Sequence, residues 1–202
     1  MVAHSAFVNV NKDDSFTWAL IKVIQASPEQ KDDYAFILGL LEANPFVLGH
    51  ASHRLRSCKP LVLVAVSLNG LALRCASTSL RDDADTVNAA IAHVGSALQY
   101  ASARLRGNVN VVLGAVKKHG PALKHASVEL RGNVYVVLAA VKKHGAALQY
   151  ACEELRKDQD VIRAAVAQDA LAKEYAITEP PHAQDPRGRE DMPAGGGKRQ
   201  KV

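Results

Sequence analysis

The apolar positions of this chain return every 25 residues, and within each return they are spaced for helices. Residues 108–132 and 133–157 are identical at 17 of 25 aligned positions. Alanine keeps one phase at Ala51, Ala76, Ala101, Ala126, Ala151 and Ala176. Leucine keeps another at Leu55, Leu80, Leu105, Leu130 and Leu155, each followed by Arg56, Arg81, Arg106, Arg131 or Arg156. A strict period in this range marks a stacked array in which each unit is one supersecondary element. Inside a unit, Val109, Val112, Leu113 and Val116 follow the i, i+3, i+4, i+7 spacing of an amphipathic helix, and Ala122, Leu123, Ala126 and Leu130 fall on one face of a second.

The joints are written in turn chemistry. Gly70, Gly95, Gly120 and Gly145 stand where a left-handed C′ residue would close the first helix, and Pro121 suits the first turn of the next. Gly107-Asn108 and Gly132-Asn133 supply a helix stop followed by an N-cap acceptor, a place taken by Asp83 and Asp158 in neighbouring units. The fold class expected is all-α, an α-solenoid of tandem 25-residue helical hairpins with helices of about 10 residues, some 15 Å long. Helices this short are marginal in water, so each must be held by its neighbours. Two rivals fall away. A leucine-rich repeat would keep the strand position of Val128 apolar, yet its equivalents are His53, Thr78, Ala103 and Glu153. A buried strand over 134–141 is excluded because Ala139, Ala140 and the lysine pair carry the helical pattern beyond strand length.

The ends depart from the period. Residues 1–26 form an N-terminal segment whose capping helix, over Asn11–Ala26, holds the single tryptophan, Trp18. The repeat domain covers 27–176. It opens at Ser27-Pro28-Glu29-Gln30, a capping box with proline at the first helical position, and the helix so begun is expected to reach Asn44 before Pro45. Residues 177–202, rich in proline, glycine and charge, are expected to be a disordered tail. No apolar run reaches about 18 residues and no secretory pattern opens the chain, so an intracellular, cytoplasmic protein is expected. Lys198-Arg199-Gln200-Lys201 raises a nuclear alternative. Cys58, Cys75 and Cys152 are too far apart in sequence to suggest a disulfide framework or a zinc site, and are read as free thiols.

Charge changes the picture most. Residues 1–100 carry eight Lys+Arg against nine acids, whereas 101–150 carry eight against Glu129 alone, a net charge of +7. Such a field attracts acidic proteins or nucleic acid. The candidate contact residues are Lys117, Lys118, His119, Lys124, Lys142, Lys143 and His144, with an acidic protein as the expected partner and RNA or DNA as the alternative. The arginine column is expected to offset helix dipoles at helix C-termini. The column His50, Cys75, Tyr100, His125, Tyr150 and Tyr175 is expected to form a half-buried flank. His50 and His53 lie three apart, but no cysteine or carboxylate completes a metal site with them. The chain offers no phosphate-binding glycine loop or nucleophile elbow, so a non-catalytic module without metal, cofactor or small-molecule substrate is expected.

The run from Asn133 to Arg156, with its valines, the Lys-Lys-His-Gly turn, the Ala-Leu-Gln-Tyr-Ala phase and the Leu-Arg ending, resembles the tandem repeat known as domain of unknown function 4116. The resemblance covers roughly 32–176, is closest in the central copies and loosest at Asn44-Pro45. It implies a helical tandem-repeat fold and brings no activity or catalytic residues with it.

Overall fold

The computed structural model describes residues 15–177, and within them every regular element is helical. Each unit contains one long helix. These are Tyr34–Leu41, Lys59–Leu68, Ala84–His93, Val109–Lys118, Val134–Lys143 and Gln159–Gln168. The four central ones begin and end where the period places them. Asn108 accepts from the amides of Asn110 and Val111, Asn133 from those of Tyr135 and Val136, and Asp83 and Asp158 cap their helices in the same way.

The second half of the unit differs from the expected helix. In place of one continuous helix from Pro121 to Arg131 the chain makes a 3-10 helix, Gly120–His125, then an extended step at Ala126 (φ −67°, ψ 159°), then a four-residue helix, Val128–Arg131. The same succession recurs around Ala51, Ala76, Ala101 and Ala151. A unit is therefore three helical pieces, not a two-helix hairpin. At four of the five links the serine after the alanine caps the new helix, Ser52, Ser77, Ser102 and Ser127 each accepting from the amide three residues on, and at all five the amide of the residue after the alanine is drawn out of the helix to a carbonyl of the preceding unit. From Ala51 to Ala151 the alanine column is buried as its spacing suggested, with Ala126 only 7% exposed, while Ala176 is half-buried, and the column sits in the extended link and not on a helix face.

Cys152 takes the serine place in the next unit and makes no capping bond. Replacing it by serine should restore the bond to the amide of Leu155 and raise stability by about 0.5–1 kcal/mol, read as a shifted urea midpoint with an unchanged m-value.

Neighbouring units stack like on like. Long helix packs on long helix and 3-10 helix on 3-10 helix, while each 3-10 helix also lies across the long helix of the following unit. Leu73, Leu98, Leu123 and Leu148 from the 3-10 helices, and Val62, Val87, Val112 and Val137 from the long helices, are fully buried in the resulting core. The glycines make the crossing possible, though not through the left-handed turn the sequence suggests, since no described residue has positive φ. A Cβ on Gly120 would stand 2.6 Å from the carbonyl oxygen of Ala140, and one on Gly95 2.7 Å from that of Ala115. Gly107 and Gly132, expected as helix stops, do end their short helices, again with negative φ.

One backbone hydrogen bond also crosses every junction. The amides of Ser77, Ser102, Ser127 and Cys152 donate to the carbonyls of Arg56, Arg81, Arg106 and Arg131, each at 2.9 Å. The arginine column thus holds register through its backbone. The side chains are half-buried: the Nε atoms of these four arginines are enclosed without a hydrogen-bond partner, whereas that of Arg156 donates to the Tyr175 carbonyl at 2.8 Å.

At the N-terminal end Ser27 and Gln30 form the expected capping box, but the helix stops at Lys31 and a new one starts after Asp33, which caps it. The break allows Asp32 to bond Ser52 and Arg54 of the next unit. The capping helix runs Ser15–Gln25 and buries Ala19 and Val23 completely. It is pinned by Asn44, which is fully buried and donates from Nδ2 to the Phe16 carbonyl at 3.2 Å while Oδ1 accepts from the Phe46 amide at 2.9 Å. The readings made for 178–202, including Lys198-Arg199-Gln200-Lys201, lie outside the described residues, as do 11–14 of the capping helix.

Candidate functional surface

Lys117 and Lys118 close the Val109–Lys118 helix, and Lys142 and Lys143 close the Val134–Lys143 helix that packs against it. All four are exposed. Their backbone is fixed by the alternation just described, because Val116 and Val141 must be buried and the following two residues then face out. The chain next turns at His119 or His144 into the 3-10 helix that carries Lys124, also exposed. The sequence-expected residues therefore lie along the C-terminal ends of two adjacent long helices.

The histidines join the two units. His119 and His144 meet edge to face, ring centroids 5.3 Å apart, and His144 Nδ1 accepts from the Gly120 amide at 3.1 Å. In the next unit Gln168 performs this task, its Oε1 accepting from the Gly145 amide. His144 is thus a structural acceptor at a junction, and His119 is the more exposed of the pair. Partial burial, then the neighbouring His144 and Lys124, hold the His119 imidazole below the ordinary histidine range. His125 is lowered by burial and then by Lys124, Arg106 and His119. After burial, every group acting on these two rings is a cation or another histidine, so no carboxylate offsets the positive field there.

The same contrast appears in the ion pairs. On the N-terminal side Arg54 meets Asp32 at 3.0 Å and Lys59 meets Asp83 at 2.9 Å and Asp85 at 3.1 Å, while Arg104, at the start of the basic stretch, reaches back to Asp82 at 3.1 Å. On the C-terminal side Lys157 meets Glu153 at 2.7 Å and Arg163 meets Asp160 at 2.9 Å. Among the described residues no ion pair involves Lys117, Lys118, Lys124, Lys142 or Lys143.

Beside the lysines is a groove that the sequence reading missed. It has a volume of about 450 Å³ and is lined by Asn88, Ile91 and Ala92 of one long helix and Gly114, Lys117 and Lys118 of the next. Of the other columns weighed, Cys75, Tyr100, His125, Tyr150 and Tyr175 are half-buried at the ends of the 3-10 helices, while His50 is exposed. His50 and His53 belong to different elements separated by the extended Ala51 link. No helix among the described residues is long and apolar enough to cross a membrane.

The family described as domain of unknown function (DUF4116) matches this chain in three tandem blocks, residues 33–81, 83–131 and 133–178. Each block spans two of the 25-residue units, a doubling echoed by the Asp32–Arg54 and Asp82–Arg104 pairs, which stand 50 residues apart. Fifty residues further on the corresponding residues are Gly132 and Glu154, which lack that pairing. No curated protein and no solved structure matches the chain.

Proposed function

The chain belongs to the DUF4116 family, which brings no activity with it, and from the surface just described we propose that it is an α-solenoid scaffold binding an acidic protein partner through its central repeats. The observation that carries this reading is that five exposed lysines without an ion pair share a region of net +7 whose one acid is Glu129. Exposed lysines at a helix C-terminus also offset the dipole, by about 0.3–1 kcal/mol each. That role does not require them here, because the equivalent helices end in Ser67-Leu68, Ala92-His93 and Ala167-Gln168. The role proposed is binding through this surface and not chemistry. Unpaired cations in an unopposed field accelerate encounter with an anionic surface and set its salt dependence.

The alternatives are an RNA-binding repeat protein using the same residues and a structural subunit of a larger intracellular assembly. They separate experimentally. Affinity purification of the full chain from cytoplasmic extract, with and without nuclease, should yield an acidic protein that survives nuclease and elutes with rising salt. Reversing Lys117, Lys118, Lys142 and Lys143 to Glu should weaken that complex about 100-fold or more at low salt and flatten its salt dependence, leaving the helical circular dichroism unchanged. Reversing Arg163 and Lys173, which lie outside the region, should do far less. Equal loss from both sets would remove the central surface from consideration, and recovery that depends on nucleic acid would favour the RNA reading.

A further inference from the structure

The groove beside Lys117 and Lys118 exists because two units break the repeat at the same interface. The place of Asn88 is held by Leu38, Leu63, Leu113 and Leu138 in other units and by Arg163 in the last. The place of Gly114 is held by Val64, Ala89, Ala139 and Ala164, with glycine again only at Gly39. A leucine is thus missing from one long helix and a methyl or isopropyl group from the helix facing it. Ile91, 4% exposed, lies beneath.

Packing does not require this glycine. A Cβ on Gly114 would meet only Ile91 Cγ2, at 4.0 Å, an ordinary contact. The junction glycines are different, for there a Cβ would run into backbone at 2.7 Å or less. A glycine inside a helix costs about 1 kcal/mol relative to alanine, so its presence where alanine fits leaves an empty notch at a cost in stability. The notch has an apolar floor, one amide from exposed Asn88, and two ammonium groups at its rim. Among the described residues no ion pair reaches Lys117 or Lys118, and no carboxylate lines the groove, so the rim cations are left without an internal counter-charge.

We propose that this groove is the specificity element of the scaffold: it seats one large apolar side chain of an acidic protein segment over Ile91, while carboxylates flanking that side chain meet Lys117 and Lys118. The inference rests on the acidic-partner reading above and adds to it a demand for shape. Charge alone gives steering and salt dependence, whereas a filled apolar notch gives discrimination between equally acidic segments. Its volume suits a single leucine or aromatic side chain with part of the flanking backbone.

The test uses the full chain and two synthetic acidic peptides of equal charge, rich in Glu and Asp, one with a central leucine and one with serine in its place. A single-stranded oligonucleotide of matched charge is the third probe. Binding is followed by fluorescence anisotropy and by NMR shifts of the Gly114 amide, the Asn88 side-chain amide and the Ile91 methyl groups. The leucine peptide should bind at least about tenfold more tightly than the serine peptide and should move those three signals. The double variant Asn88→Leu, Gly114→Val fills the notch with residues that other units of this chain carry at the same places, and leaves every lysine intact. It should lower leucine-peptide affinity to the serine-peptide level while retaining full helicity. Equal affinity for the two peptides, discrimination that survives the double variant, or an oligonucleotide that binds more tightly than the leucine peptide would each overturn the proposal. Equal affinity combined with sensitivity to the four-lysine reversal would sink the groove alone, and insensitivity to both would sink the acidic-partner reading with it.

Discussion

Replacing Gly120 by alanine is expected to destabilise the protein by about 3 kcal/mol or more, although helix propensity alone would favour alanine by about 1 kcal/mol. The new methyl group would lie 2.6 Å from the Ala140 carbonyl oxygen and 3.0 Å from His144 Cβ. Backbone cannot swing aside as a side-chain tip can, so the two units must separate along a fully packed core, which exceeds the usual penalty of about 1–3 kcal/mol for overfilling. The separation would also stretch the bond from the Gly120 amide to His144 Nδ1. Gly114→Ala supplies the opposite sign in the same protein, with a gain of up to about 1 kcal/mol, because its Cβ finds open space. Denaturant titration of the pair decides the matter: a Gly120→Ala protein as stable as the parent, or more so, would mean that the units do not need this close approach.

Asn44→Ala should cost about 2–4 kcal/mol and free the first helix from the stack. The asparagine is fully buried and satisfies two backbone groups of separate elements, the Phe16 carbonyl and the Phe46 amide. Truncation removes the tie to the first helix and leaves the Phe46 amide, at the start of its 3-10 helix, without its acceptor, a loss that typically costs about 1–3 kcal/mol, with the void left by the buried side chain in addition. Trp18, packed beneath the Lys22 ammonium at 4.6 Å on the same helix, gives an independent readout. Its fluorescence should change in a transition preceding the main unfolding step. A single transition with both signals coincident would show that this helix is held by Ala19 and Val23 alone.

The period, the helical class and the caps were legible because each depends on residues near one another in sequence. Asn108, Asn133, Asp83 and Asp158 cap helices that start beside them, and Ser27 with Gln30 closes a local ring. The division of the second helix was less visible. Ala122, Leu123, Ala126 and Leu130 satisfy a helical spacing, and all four are buried, yet burial is shared by a 3-10 turn, an extended step and a short helix. A local signal in four units is the serine column at Ser52, Ser77, Ser102 and Ser127, a set of N-caps concealed in the middle of an apparent helix, while the backbone bond to the preceding unit that all the links share has no local trace. The glycines misled in another way. Their position is that of a left-handed turn, but their purpose is a contact with the following unit, which no local rule reveals.

For the candidate surface, the lysines were visible as composition and the groove was not. Asn88 and Gly114 are unremarkable alone and acquire meaning only as paired departures from a pattern, once the helices that carry them are known to face each other. Repeat proteins allow this subtraction, since every unit serves as a control for its neighbours. What distinguishes one unit from the rest is where a partner's demands can be sought.

The hydrogen bond that crosses each junction, from the Ser77 amide to the Arg56 carbonyl and onward through the stack, has a kinetic consequence. All such links join partners about one unit apart, so the loop to be closed has the same length at every step and contact order stays low however many units are added. Folding can start at any well-formed central pair and zip outward, and a locally opened unit has a folded template on each side to rejoin. Units such as 108–132 and 133–157 can then be gained or lost by whole periods without new topology, so that length becomes a variable the fold leaves open to selection.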